Sequence, residues 1–255
     1  METLVLNNPF GGPVFHFSRI SSTMDKAREI VRCGPSNGTV IVADEQSAGR
    51  GRIAGRNWLS PAASSLLFTV VLELAALPEA LSLRTGLALA RAVEDFIPSL
   101  SGMVAIKWPN DCLINKKKIA GILIESNGST VFVGMGVNFC QQQFDPALQE
   151  KATSIACACG MDLPPQARFV FLEKILHRLC DEVFSSGREW LKQVEKRLYR
   201  RGEKVCFHAG GADLFTSVEG KVHGIGAGGE LLIELASGKV QAFITGEIVP
   251  ESWEV

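Results

Sequence analysis

The sequence predicts an α+β chain in two parts, and three observations carry that reading. Up to about residue 200, β-branched runs alternate with stretches of helical period. From Gly202 the character changes to short β runs separated by glycine turns, which suggests a small antiparallel barrel. The length of 255 residues suits one large domain and one small one, with the boundary expected between residues 1–200 and 201–255.

Ser22-Thr-Met-Asp25 opens the first helix as a capping box, a hydroxyl at the N-cap and a carboxylate three residues on. Met24, Ala27, Ile30 and Val31 follow at helical spacing, and Gly34-Pro35 stops the helix. Gly38–Ala43 is a β-branched strand that delivers the chain to Asp44-Glu-Gln46. Ser65–Leu74 reads as a buried strand. A helix from about Pro78 to Phe96 carries Leu81, Leu83, Leu87 and Val93, and Pro98 closes it. Thr130–Asn138 is another strand, with glycines where a ligand can approach the backbone. Residues 165–200 read as two helices broken near Ser185-Ser-Gly187, the first with Leu172, Ile175, Leu176 and Leu179 on its apolar face. The last part holds strands at Val205–Phe207, Ser217–Val222, Leu231–Leu235 and Val240–Ile244. Gly224-Ile-Gly-Ala-Gly-Gly229 matches GxGxxG but precedes a strand, so it reads as a turn and not a dinucleotide site.

Two stretches stand out for chemistry. Lys107-Trp-Pro-Asn-Asp111, then Cys112-Leu-Ile, the turn Asn115-Lys-Lys and Lys118–Glu125, read as a hairpin with polar residues at its mouth. Upstream lies Gln46-Ser-Ala-Gly-Arg50-Gly-Arg52, continuing through Gly55-Arg56 to Trp58. Its glycines let backbone approach a ligand, and Arg50, Arg52 and Arg56 offer forked donors to phosphate or carboxylate. A formal net charge of −1 argues against a partner held by bulk electrostatics, so the local basic clusters point to a small anion. No Walker A sequence occurs, so any nucleotide is held without a P-loop.

In order and spacing, these two stretches resemble the biotin protein ligases, over a segment from about Phe15 to Asn138 that continues more weakly towards the C-terminus. The resemblance implies a mixed-sheet catalytic domain with flanking helices and a C-terminal SH3-like β-barrel. It implies an ATP- and Mg²⁺-dependent reaction that makes biotinyl-AMP and passes the biotinyl group to a lysine of a biotin carboxyl carrier protein. By the same resemblance Lys118 and Arg52 are the catalytic candidates. Ser22, Thr23, Gln46, Arg50, Gly51, Arg52, Lys118 and Gly121 would meet biotin. Arg50, Arg52, Arg56, Trp58, Lys107, Asn110, Asp111, Lys118 and Asn138 would meet ATP, and no protein metal site is assigned. The loop between Arg52 and Trp58 is one residue longer than in many relatives, so Arg52 matches more closely than Arg56. An adenine-stacking Trp that bifunctional members carry near Thr153-Ser154 is absent here. The alternative within the same superfamily is a lipoate or octanoate ligase or transferase, but these generally lack the pairing of Gly-Arg-Gly-Arg with Trp-Pro-Asn-Asp. A biotin-responsive repressor is disfavoured, because the matched core begins near Ser22 and leaves no room ahead of it for a helix-turn-helix.

The hydrophobic fraction of 46% and charged fraction of 21% fit a globular chain with a real core. Seven cysteines without paired CxxC spacing read as reduced thiols and not a zinc site. No signal peptide and no membrane span is visible, so the expectation is a cytoplasmic protein without nucleic-acid or membrane partners. A homodimer stays open.

Overall fold

The computed structural model describes residues 1–34, 37–53, 55, 57–58, 60–210 and 215–249. The large sheet has eight strands, in the order β1-β2-β3-β4-β8-β7-β6-β5. These are β1 (Glu2–Leu4), β2 (Val14–Ile20), β3 (Val40–Gln46), β4 (Ser65–Glu73), β5 (Ala105–Lys107), β6 (Asp111–Ile114), β7 (Lys117–Asn127) and β8 (Thr130–Asn138). The sheet is mixed: β2 and β3 run parallel, joined through helix α1 (Thr23–Val31), and the other pairs are antiparallel.

Alternation along the central strands decides the two faces. Val40 and Val42 of β3, Leu66, Phe68 and Val70 of β4, and Val131, Val133 and Val137 of β8 share the main core. That core is closed by α2 (Leu81–Phe96) and α4 (Ala167–Phe184), with the short α3 (Ile155–Cys159) beside them. The opposite face is covered only in part, by Met24 and Ala27 of α1 on Ile41, Val71 and Phe132. Further along that face β8 and β7 carry Gly134, Gly136 and Gly121 in place of side chains, which leaves a hollow.

The helix expected from Pro78 starts at Leu81, because Ala80 at the N-cap is left-handed with φ 52°. The break near Gly187 is as read: α4 ends at Phe184 and α5 (Glu189–Lys196) follows. The strands β1 and β2, a strand at Gly246–Ile248 and helix α3 are elements that the sequence reading did not assign.

The second sheet begins at Lys204, with β9 (Lys204–Gly210), β10 (Phe215–Ile225), β11 (Leu231–Glu234), β12 (Val240–Phe243) and β13 (Gly246–Ile248). Its order, β12-β11-β10-β9-β13, is that of an open antiparallel sheet among the described residues. β12 and β13 stand at its two edges, so the expected closed SH3-like barrel is not found. The glycine run at 224–229 ends β10 and turns into β11, as its context required. This sheet does not keep a core to itself. Val205, Phe207, Val222 and Ile233 pack with Leu83 and Leu87 of α2, Trp190 of α5, and Trp108. All seven cysteines are free thiols, and no helix among the described residues is long and apolar enough to cross a membrane.

Candidate functional site

The hollow on the α1 face is a cavity of about 510 Å³. Its floor is polar and ordered. Thr69 Oγ1 donates to Thr23 Oγ1 at 2.9 Å, and Thr23 donates its backbone N–H and its hydroxyl to Gln46 Oε1, at 2.6 and 3.1 Å. Thr23 and Thr69 are buried, so this chain fixes the orientation of the Gln46 amide. Ser22 caps α1 by accepting from the Asp25 N–H at 3.5 Å. The Asp25 carboxylate turns instead to arginines: Arg28 at 2.9 Å and Arg50, through two bonds, at 2.6 and 2.8 Å. Those ion pairs hold the Asp25 carboxyl below its ordinary range, the Arg50 hydrogen bond foremost.

The glycines make the space. A Cβ on Gly136 would stand 2.7 Å from the Trp58 ring, and one on Gly121 would stand 3.1 Å from Lys118 Nζ and 3.2 Å from Trp58. The Trp58 indole therefore lies on bare backbone of β7 and β8. Its Nε1 is buried and meets no hydrogen-bond acceptor among the described residues.

Lys118 reaches the cavity because β7 is irregular. Asp111 pairs with Gly121 and Cys112 with Ala120, but Leu113 pairs with Lys118, so Ile119 is the extra residue of a bulge. Ile119 joins Ala120 in the main core, and the side-chain parity flips. Lys118 and Gly121, three residues apart, thereby share the cavity face. Lys118 Nζ lies 2.6 Å from Asp111 Oδ1 and 5.6 Å from the centre of the Trp58 ring.

The glycine loop forms the rim. Trp58 N–H donates to Gly49 O at 3.0 Å, and Arg50 bridges to Asn57, so the excursion has a closed base. Arg52 Nη2 donates to Gly246 O at 3.0 Å, which brings the second sheet to the mouth, where Glu247 also lines the cavity.

Of the residues expected from the sequence, the cavity wall includes Ser22, Thr23, Gln46, Arg50, Gly51, Arg52, Trp58, Lys107, Asn110, Asp111, Lys118 and Gly121. Asn138, expected on the nucleotide side, is not among the residues that line this cavity. Its buried amide donates to Lys118 O at 3.3 Å and Thr153 O at 3.0 Å, tying the ends of strands together. Asn110 is partly scaffold as well, donating to Ile122 O at 2.8 Å. Arg56 lies outside the described residues. Thr69, Met24, Gly134, Leu148, Lys151 and Glu247 are wall residues that sequence reasoning missed. The glycines of Thr130–Asn138 were the one signal available for any of them.

A polar floor, a glycine-bared wall under an indole, and a cationic rim define the site of this α+β protein: a cavity with hydrogen-bonding groups at its base and cations at its mouth. The sequence pattern described as "Biotin/lipoate A/B protein ligase family" matches residues 16–142. The biotin–[acetyl-CoA-carboxylase] ligase of Paracoccus denitrificans is 33% identical over 228 residues, covering 80% of this chain and 88% of that one. The chain belongs to the biotin/lipoate A/B protein ligase family. The bifunctional ligase/repressor BirA of Bacillus spizizenii is 38% identical over 149 residues, 55% of this chain but only 45% of its own length. The match likewise spans about half, 48%, of BirA from Bacillus subtilis. Among solved structures, the biotin protein ligase of Aquifex aeolicus in complex with biotin and ATP superposes with a TM-score of 0.79 at 28% identity, covering 94% of this chain and 98% of that one. The Leishmania major biotin protein ligase in complex with biotin gives a TM-score of 0.61 at 28% identity, covering 91% and 98%.

Proposed function

We propose that this chain is a biotin–protein ligase, activating biotin with ATP and transferring it to a lysine of a biotin carboxyl carrier protein. The observation that carries the reading is Lys118 over the glycine-bared hollow, between the Thr23–Gln46 floor and the arginine rim. The ureido head of biotin is a compact donor–acceptor group, and the fixed Gln46 and Thr23 dipoles suit it. Its apolar body fits against Met24, Leu123 and the bare backbone at Gly134.

In the first step a biotin carboxylate oxygen attacks the ATP α-phosphorus, the bond from that phosphorus to the bridging oxygen breaks, and pyrophosphate leaves with the electron pair. Charge builds on phosphate oxygens, where the Lys118 ammonium stabilises it without reorganising, while the Arg52 guanidinium holds the adenylate once it has formed. In the second step the neutral amine of the carrier lysine attacks the acyl carbon. An amide forms, AMP departs, and the amine proton passes to solvent.

Mg²⁺ fits this chain in the way it fits most nucleotide sites, through one or two carboxylates together with phosphate oxygens. Asp111 and Glu247 are the carboxylates on the cavity wall that would hold it, and its charge would neutralise the departing pyrophosphate. The functional unit is residues 1–200 as the catalytic domain, with 201–255 as a second, smaller domain that lends Gly246 and Glu247 to the mouth.

The decisive experiment is ligand-dependent exchange of labelled pyrophosphate into ATP. Exchange with biotin and none with lipoate or octanoate is expected. Exchange with lipoate alone would move the chain to the other branch of its family.

A further inference from the structure

Asp25 belongs to the first turn of α1 and stands outside the cavity wall, yet it grips the residue that starts the rim. Both its carboxylate oxygens are taken by the Arg50 fork, at 2.6 and 2.8 Å. One of them also accepts from Arg28 at 2.9 Å. Arg28 is itself held, by Glu125 of β7 and by the Phe132 ring 5.5 Å away. The carboxylate is thus aimed by a braced neighbour, and it sits near a helix N-terminus, where negative charge is favoured. Arg50 lies at the closed base of the glycine loop, bridged to Asn57 beside Trp58. Whatever fixes Arg50 therefore fixes the points from which Arg52 and Trp58 are launched over the cavity.

We propose that Asp25 is a positioning residue that acts through Arg50, keeping Gly51, Arg52 and Trp58 in place over the cavity before ligand arrives and slowing escape of the activated acyl intermediate. The retention half rests on the ligase reading above; the pinning half stands without it. A glycine-rich segment loses much conformational freedom when ordered, and a loop ordered in advance leaves less of that cost to be met at binding. The bidentate, charge-assisted geometry suits this role better than a single surface contact would.

The test has two readouts. In ligand-free protein, trypsin cleavage after Arg52 follows opening of the loop. In protein loaded with labelled biotin and ATP, the rate at which preformed biotinyl-AMP leaves into a chase of unlabelled biotin reports retention. Asp25→Asn, which keeps shape and removes charge, is expected to speed both by about two- to tenfold, with the melting temperature within a few degrees of the parent. Asp25→Glu should recover most of the loss. Combined with Arg50→Gln, Asp25→Asn should add nothing further, because the two act as one unit. Unchanged cleavage and escape in Asp25→Asn would overturn the proposal, as would additive effects of the two substitutions. If the parent protein forms no biotinyl-AMP, the ligase reading and the retention half fail together, while the cleavage rates still decide the pinning.

Discussion

Lys118 and Asp111 face each other across the β6–β7 hairpin, Nζ to Oδ1 at 2.6 Å, although their strand register would place Asp111 opposite Gly121. The bulge at Ile119 makes the meeting happen. The ammonium is thereby held at the cavity wall with its charge balanced by a carboxylate. Lys118→Gln is expected to lower pyrophosphate exchange by at least 10²–10³-fold, the usual cost of one lost transition-state donor, without loss of fold by circular dichroism. Lys116→Ala should be silent in the same assay. Lys117→Ala should raise KM more than it lowers kcat, since Lys117 Nζ donates to Gln149 O at 2.7 Å and steadies the segment that carries Leu148 and Lys151. Equal defects at all three lysines would mean a diffuse positive patch.

Gly134 and Gly136 lie on one strand and face one way, but they are not equivalent. A methyl at 136 meets the Trp58 ring at 2.7 Å, a flat and braced neighbour, whereas at 134 it meets the terminal methyl of Met24 at 2.8 Å. Met24 has three rotatable bonds and can yield. Gly136→Ala is therefore expected to weaken biotin affinity about tenfold or more, read by calorimetric titration, and Gly134→Ala by clearly less. The reverse order would show that the Trp58 ring is free to move.

Arg52 makes its contact with Gly246 O, on the far sheet, as well as lining the cavity. Removing a charge-assisted hydrogen bond costs about 1.5–3 kcal/mol. Arg52→Gly should therefore still form biotinyl-AMP but release it roughly ten- to a hundredfold faster. The measurement is biotin incorporation into an unrelated lysine-rich protein mixed with the variant. A variant that makes no adenylate and labels nothing would place Arg52 in the chemical step.

Cys112 is fully buried in the middle of β6, and burial pushes its thiol from an ordinary 9.0 up to about 12. Thiolate is the reactive form, so Cys112 should resist alkylation at pH 8 in the native protein, while the exposed Cys33 and Cys157 react. Mass spectrometry of labelled peptides checks this. The sign for stability follows from the raised value. The contribution of a neutral Cys112 is complete below pH 9 and is lost as pH climbs towards 12, so unfolding should become easier across that window.

Much of this was legible because motif and element coincided. Ser22 at a helix start, Gln46 at a strand end and Lys118 after a turn each followed from local patterns, and their meeting around one cavity followed from the family resemblance. The remainder depended on packing. Nothing local marks Ile119 as a bulge, since its side chain is as apolar as its neighbours and only the pairing register reveals the parity flip. The carboxylate of Asp25 read as half of a capping box because arginines distant in sequence cannot be seen from four residues. The two backbone carbonyls that the Asn138 amide meets, of Lys118 and Thr153, are distant in sequence and were hidden for the same reason. The second sheet read as a closed barrel because glycine turns between short strands give the count of strands and not whether the first meets the last.

Trp108 sits in the central hairpin, yet its indole N–H donates to Gly229 O at 2.9 Å and its ring packs on Phe207. During synthesis the hairpin is made long before these partners exist. A chain halted at residue 200 would carry every arginine and lysine of the cavity and still lack the acceptor of that indole N–H and the Phe207 face of the ring. The mouth contact from Arg52 would wait longer, until Gly246 has emerged. The fold thus sets an order: the residues of the cavity are encoded early, but among the described strands the contact that steadies Arg52 comes only with β13.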